Sequence, residues 1–313
     1  MAFDFSSVST PFRMQPGLRR LAPNAAQLTP SQPGDRAFRE KLAVLRTHAN
    51  QALLCAPGFD ASPALRALSA HAAAEHPEAL AWDGNALWHA RHLGWSLHGD
   101  EPHGDGPAEI GACLHALPGT WRVAALLALA FTEDFAVIDG KTGRIPWLAV
   151  CLPSHWAPED KIGRHFAQVH APVADNQTLI AASDHLAKLV TGDTRWERFV
   201  WTIARDLRLD QHPKRASAPP WSALANADAL AAAAFFRTER QTFIPIPAHG
   251  QAIFTIHVET QPLAQAIASP EQAHALHEAL ASMSQSVLAY RGLTDVRDRL
   301  LLWLRRRADA HAA

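Results

Sequence analysis

Asp134-Phe135-Ala136-Val137-Ile138-Asp139-Gly140-Lys141-Thr142-Gly143-Arg144-Ile145-Pro146-Trp147-Leu148-Ala149-Val150 carries the clearest strand signal of the chain. The apolar run leading into it starts at Ala124, so 124–138 reads as one strand and 145–152 as a second, ended by Pro153. The Asp-Gly-Lys-Thr-Gly between them supplies glycines that tolerate positive φ, which makes the pair a hairpin. Alternation puts Thr132, Asp134, Ala136 and Ile138 on one face of the first strand, with Glu133, Phe135 and Val137 on the other.

Outward from the hairpin the periods change. Before it, a Pro-rich irregular arm (1–34) gives way at Asp35 to a helical stripe of Phe38, Leu42, Leu45 and Leu53. Ser62-Pro63 opens a further helix that stops at His76-Pro77. Between Trp82 and Pro118, glycines and prolines break every period into short elements and loops. After the hairpin, 158–168 has a helical pattern, and 175–190 reads as a capped helix closed by Gly192. A strand is expected over 199–203 and a half-buried one over 252–260, where Phe254, Ile256 and Val258 alternate with Thr255, His257 and Glu259. Helices over 271–288 and 295–307 finish the chain. Hairpins mixed with helices, without a βαβ rhythm, indicate an α+β sheet protein with residues 35–313 as a single domain.

Composition narrows the function. The chain has 313 residues, 48% of them hydrophobic, enough for a sizeable core. A formal net charge of −1 provides no field for a polyphosphate, so nucleic acid is not an expected partner. Cys55, Cys113 and Cys151 are odd in number and widely spaced, which fits a reducing compartment, and no apolar run is long enough for a bilayer. A cytoplasmic protein without a membrane partner is expected. Ten tryptophans against one tyrosine are suited to walling a flat aromatic ligand. Dinucleotide, P-loop and zincin motifs do not occur.

Three segments carry a resemblance. They are Thr132-Glu133-Asp134-Phe135 through the hairpin to Val150-Cys151-Leu152-Pro153-Ser154-His155-Trp156; Lys161-Ile162-Gly163 with Val169-His170-Ala171-Pro172-Val173; and Arg237-Thr238-Glu239-Arg240-Gln241-Thr242 followed by Pro247 and Ile253-Phe254-Thr255-Ile256. In order and spacing the chain resembles the heme-dependent oxidative N-demethylase α-subunit family from roughly residue 35 onward. That resemblance implies a PAS-like antiparallel sheet surrounded by helices and holding heme b. It further implies a monooxygenase that uses O2 and electrons from a separate flavin and iron–sulfur reductase subunit to remove a methyl group from a small amine. Two stretches depart from the family pattern: Arg195-Trp196-Glu197-Arg198-Phe199-Val200-Trp201 has no Asn, and Ile244-Pro245-Ile246-Pro247 replaces a basic, Leu-containing run. Heme binding is therefore a firmer implication than any particular amine.

A heme oxygenase needs one axial protein ligand and few polar groups in its pocket. His170, between a helix and Pro172, is the first candidate for the iron, or else a helix-end histidine that satisfies the last carbonyls; His165 is the second and Cys151 the third, the last inside an apolar strand where cysteine is usually inert. A substrate ammonium asks for a carboxylate, and Asp134 and Glu239 both stand in the shared motifs. Arg237 or Arg240 would balance that charge or reach a heme propionate, with Lys161, Arg195 and Arg198 as further propionate candidates. Without the resemblance, Thr238-Glu239-Arg240-Gln241 would read as a solvated turn between helix and strand. A PAS-like sensor of gas or redox state, and a protein that keeps the fold without heme, are the alternatives to an enzyme.

Overall fold

The computed structural model describes residues 3–216, 220–221 and 226–309. Its centre is an antiparallel sheet of seven strands in the order β1-β9-β10-β11-β7-β8-β2. These are β1 (Arg19–Arg20), β2 (Leu53–Cys55), β7 (Asp134–Asp139), β8 (Arg144–Ala149), β9 (Trp196–Ala204), β10 (Phe235–Ile246) and β11 (Gln251–Pro262). A second antiparallel sheet runs β3 (Leu80–Trp82), β4 (Leu87–Ala90), β5 (Trp95–His98) and β6 (Glu101–Gly104), the last three within the stretch between Trp82 and Pro118 whose sequence showed no sustained period. The α+β class follows directly.

The β7–β8 hairpin forms where the turn glycines place it, with Gly143 at φ +63°. A side chain there is excluded twice over, because a Cβ would also lie 2.5 Å from His165 Nε2. The expected strand over 124–138 is half helix: Gly119–Ala130 is α-helical and every residue from Ala124 to Ala130 is buried. Burial on all sides erases the periodicity that separates helix from strand. The composition Ala124-Ala125-Leu126-Leu127-Ala128-Leu129-Ala130, with no β-branched residue, decides for helix.

Other expectations are shortened rather than displaced. The first helix is Arg36–Thr47, and Leu53 belongs to β2. Asp35 stands at its N-cap but accepts from the Gln32 amide instead of capping the helix. The helix from Ser62 ends at Glu75 as its His-Pro stop requires. The expected helix over 158–168 is a single 3₁₀ turn, Pro158–Asp160, then a loop, then the short helix Phe166–His170. Gln177–Ala181 and Ser183–Val190 replace one helix, and Pro270–Ala281 with Gln285–Tyr290 replace another. In the latter the Ser284 hydroxyl accepts from the Val287 amide and starts the second piece.

The strand β10, which at twelve residues equals β11 in length, was unread in the sequence. All twelve of its residues pair with β11, and nine of them also pair with β9. Arg237, Glu239 and Gln241 thereby alternate with Thr238, Arg240 and Thr242 across the sheet. The N-terminal segment closes the second of these faces: Arg240 donates to the Ala26 carbonyl, and the Gln27 amide to Thr242 Oγ1 and the Phe243 carbonyl. Residues 156–190 cover part of the first face. Trp156, Ile162 and Val169 pack against Ala136, Leu148 and Phe254, while Ala187 and Val190 pack against Ile138 and Phe243. No helix among the described residues is long and apolar enough to cross a membrane.

Candidate heme and amine site

His170 is the last residue of the helix Phe166–His170 and sits over the first face of the sheet. Its Nδ1 bonds the Phe166 carbonyl at 2.9 Å, and the two rings lie 4.2 Å apart. A carbonyl accepts only, so Nδ1 carries the proton and the Nε2 lone pair is left available. Burial, opposed by the Phe166 carbonyl and reinforced by the cations Arg198 and Lys161, lowers the imidazole pKa to about 4. The ring is a neutral nitrogen donor at any physiological pH.

His165 is differently employed. It caps the same helix, its Nδ1 accepting from the Ala167 amide at 3.2 Å while Nε2 bonds Asp184 Oδ1 at 3.0 Å. Both ring nitrogens are committed to the fold. Cys151 is fully buried, and burial pushes its thiol well above the usual range, against thiolate formation.

Beside His170, strand β9 presents Trp196 and Arg198 on one face. Arg198 Nε and Trp196 Nε1 are buried donors without a hydrogen-bond acceptor among the described residues. Burial pulls the Arg198 guanidinium below its usual range, and the nearby Glu239 carboxylate counters this. Lys161 spends one N–H on the Val169 carbonyl at 2.7 Å, and burial lowers its pKa as well. Two orphaned donors and a cation next to a neutral imidazole suit a flat ligand that carries anionic arms, which is the chemistry of a heme with its propionates.

Glu239 faces the same side through β10, which pairs Gln241 with Arg198 of β9. It accepts from the Ser154 hydroxyl and, at 2.6 Å, from Gln241 Nε2. The structure therefore draws His170, Lys161, Arg198 and Glu239 into one neighbourhood. Arg237 reaches its edge, where it contacts Ser154 and otherwise bonds backbone carbonyls. Arg240 is on the opposite face, paired with Glu197 at 3.0 Å. Asp134 is in register with Gln241 through Ile256 of β11 but is sealed from solvent with Lys41, 3.2 Å away. Arg195 bonds the carbonyls of Ala22 and Pro23 in the N-terminal segment.

A model of the family described as haem-dependent oxidative N-demethylase, alpha subunit-like, matches residues 37–301. The chain belongs to that family. In this N-demethylase alpha-subunit-like chain the match spans all three sequence segments that carried the resemblance, and both His170 and Glu239 fall inside it.

Sequence reasoning left three participants unassigned. Ser154 and Gln241 lay inside quoted motifs without a role, and Trp196 lay only within the segment that departs from the family pattern. The alternation of β9, had the strand been extended to Trp196, would have put Trp196 and Arg198 side by side.

Proposed function

We propose that this chain is a heme-dependent oxidative N-demethylase subunit in which His170 Nε2 would hold the heme iron and Glu239 would hold a small methylated ammonium substrate. The observation that carries the reading is the His170 Nδ1 bond to the Phe166 carbonyl, which presents the other nitrogen as an unprotonated donor. The seven-stranded sheet with the covering segment 156–190 acts as a PAS-like holder for heme b, residues 35–313 forming one domain and residues 1–34 an arm. Arg198, Trp196 and Lys161 take the propionates. Asp134, Arg237 and Arg240 are left to the framework by the contacts they make, and His165 to its helix cap.

When bound, heme would supply O2 activation, with two electrons from a separate flavin and iron–sulfur reductase, so that an N-methyl carbon leaves as formaldehyde and the amine is shortened. The chain's own share is to hold the amine cation beside an ionic acceptor in a partly desolvated place and to hold the cofactor's edge. The cysteine count and the missing dinucleotide fingerprint argue for an external electron source.

The test is a heme titration of the purified chain. A Soret band that saturates at one heme per chain is expected, followed by formaldehyde release once a flavin and iron–sulfur reductase, NADPH, O2 and a methylated amine are present. Failure to take heme would overturn the reading. A saturating Soret band without turnover of any methylated amine would turn it toward a sensor.

A further inference from the structure

Ser154 sits at the centre of a directed chain of hydrogen bonds. Its oxygen accepts from Arg237 Nε at 2.9 Å, which leaves its own proton for Glu239 Oε1, the acceptor on its other side. Arg237 has no freedom to reverse this. The side chain is 1% exposed, and three of its four other N–H groups go to the carbonyls of Arg208 at 3.1 Å, Leu209 at 2.8 Å and Leu152 at 3.4 Å. A guanidinium has no acceptor to offer, so the hydroxyl donates in one direction only. On the far side Gln241 donates to Glu239 Oε2.

The backbone around Ser154 is pinned as firmly. The His155 amide donates to the Gln211 carbonyl at 3.1 Å, the Gln211 amide donates to the Pro153 carbonyl at 3.0 Å, and Ser154 forms a β-bridge with Gln211. His155 adopts φ +59°, a left-handed conformation that costs a non-glycine residue about 1 kcal/mol and persists where the surroundings impose it. These constraints fix the serine side chain opposite Glu239.

A carboxylate fastened at both oxygens cannot rotate without losing one donor, yet it retains lone pairs for a third partner. We propose that Ser154, with Arg237 and Gln241 behind it, is a positioning residue that presets Glu239 to accept an N–H of a protonated methylamine, so that the site selects an alkylammonium over a neutral molecule of equal shape. The inference rests on the assignment of Glu239 as the amine acceptor. Arg198 from β9 and Arg237 from β10 are the cations facing that carboxylate, and Tyr290 from the helix Gln285–Tyr290 lies within its electrostatic reach. Trimethylammonium and tert-butanol are matched probes, similar in size and differing in charge.

Calorimetric titration of the full chain with both probes, on heme-loaded protein and on protein as purified, measures the selectivity directly. Wild type is expected to prefer trimethylammonium. Glu239→Gln should abolish the preference, and Ser154→Ala should reduce it by about tenfold, the size of one hydrogen bond to a charged group. Ser154→Thr, which keeps the hydroxyl, should restore most of it, a rescue that a loss of packing would not show. Wild-type selectivity in Ser154→Ala, or in Glu239→Gln, would overturn the proposal. Calorimetry needs no Soret band, so a chain that fails to take heme refutes the cofactor reading without deciding this one, which the selectivity of the same sample still decides.

Discussion

Lys41 Nζ lies 3.2 Å from Asp134 Oδ1, with both side chains sealed from solvent. The lysine's hydrogen bonds run to the carbonyls of Phe131 and Glu133, so its contact with Asp134 is a charge pairing, while Asp134 Oδ2 accepts from the Leu152 amide at 2.7 Å. Burial pushes the Asp134 carboxyl up and the Lys41 ammonium pulls against it. The pair fastens the first helix to the start of β7 and to the end of the β8 segment.

Lys41→Met should consequently destabilise the fold by about 3–5 kcal/mol, because it strands a buried carboxylate. Urea unfolding would measure the loss. The double variant Lys41→Met, Asp134→Leu should recover part of it; equal stability of Lys41→Met and wild type would show that the pair contributes nothing.

The two histidines of the helix Phe166–His170 should separate cleanly in a heme titration. His170→Ala is expected to lose heme retention while circular dichroism stays native. His165→Ala should retain heme and lose about 1 kcal/mol of stability, the usual cost of an N-cap. An unchanged Soret band in His170→Ala would move the ligand elsewhere.

The two motif carboxylates should also part company. Glu239→Gln keeps shape and removes charge, so heme stays bound and amine turnover falls by roughly 10²-fold or more if the group also handles a proton. Asp134→Asn should instead show its effect in unfolding, since an amide cannot answer Lys41. A turnover defect in Asp134→Asn at full stability would return Asp134 to the site.

Stability should fall on the alkaline side. Burial alone would lower the His257 pKa, but Glu133 at 2.8 Å and Glu259 at 3.2 Å outweigh it and raise it to about 9. A folded pKa above the unfolded value of about 6.5 means stability that is complete below that pH and lost as pH rises through about 9. His257→Gln should flatten this decline between pH 6.5 and 9 in urea unfolding. A parallel decline in both proteins would exclude His257 as its source.

What could be read from the sequence followed the range of the interactions. The β7–β8 turn is written locally in Asp139-Gly140 and Gly143, and the His170 corner in the few residues around it. The strand β10 is not, because its polar residues satisfy one another only after folding: Arg240 finds Glu197, Thr242 finds Thr255, and Glu239 finds Ser154. With charged and polar groups on both faces, no apolar alternation announces a strand. The Arg237–Ser154 contact spans 83 positions of sequence, beyond the reach of any spacing argument.

The alternation within β10 has an evolutionary side. Glu239 and Gln241 share the face of the proposed ligand, while Arg240 and Thr242 look toward the N-terminal segment, in a strand locked between two neighbours for nine residues. Insertion or deletion of one residue inside it would exchange the two sets wholesale. If the proposed site is right, substrate preference along this strand would change by point replacement at 239 and 241, whereas replacement of Arg240 or Thr242 would remove contacts that dock the N-terminal segment. Libraries aimed at new amines should randomise 239 and 241 together and leave 238, 240 and 242 alone.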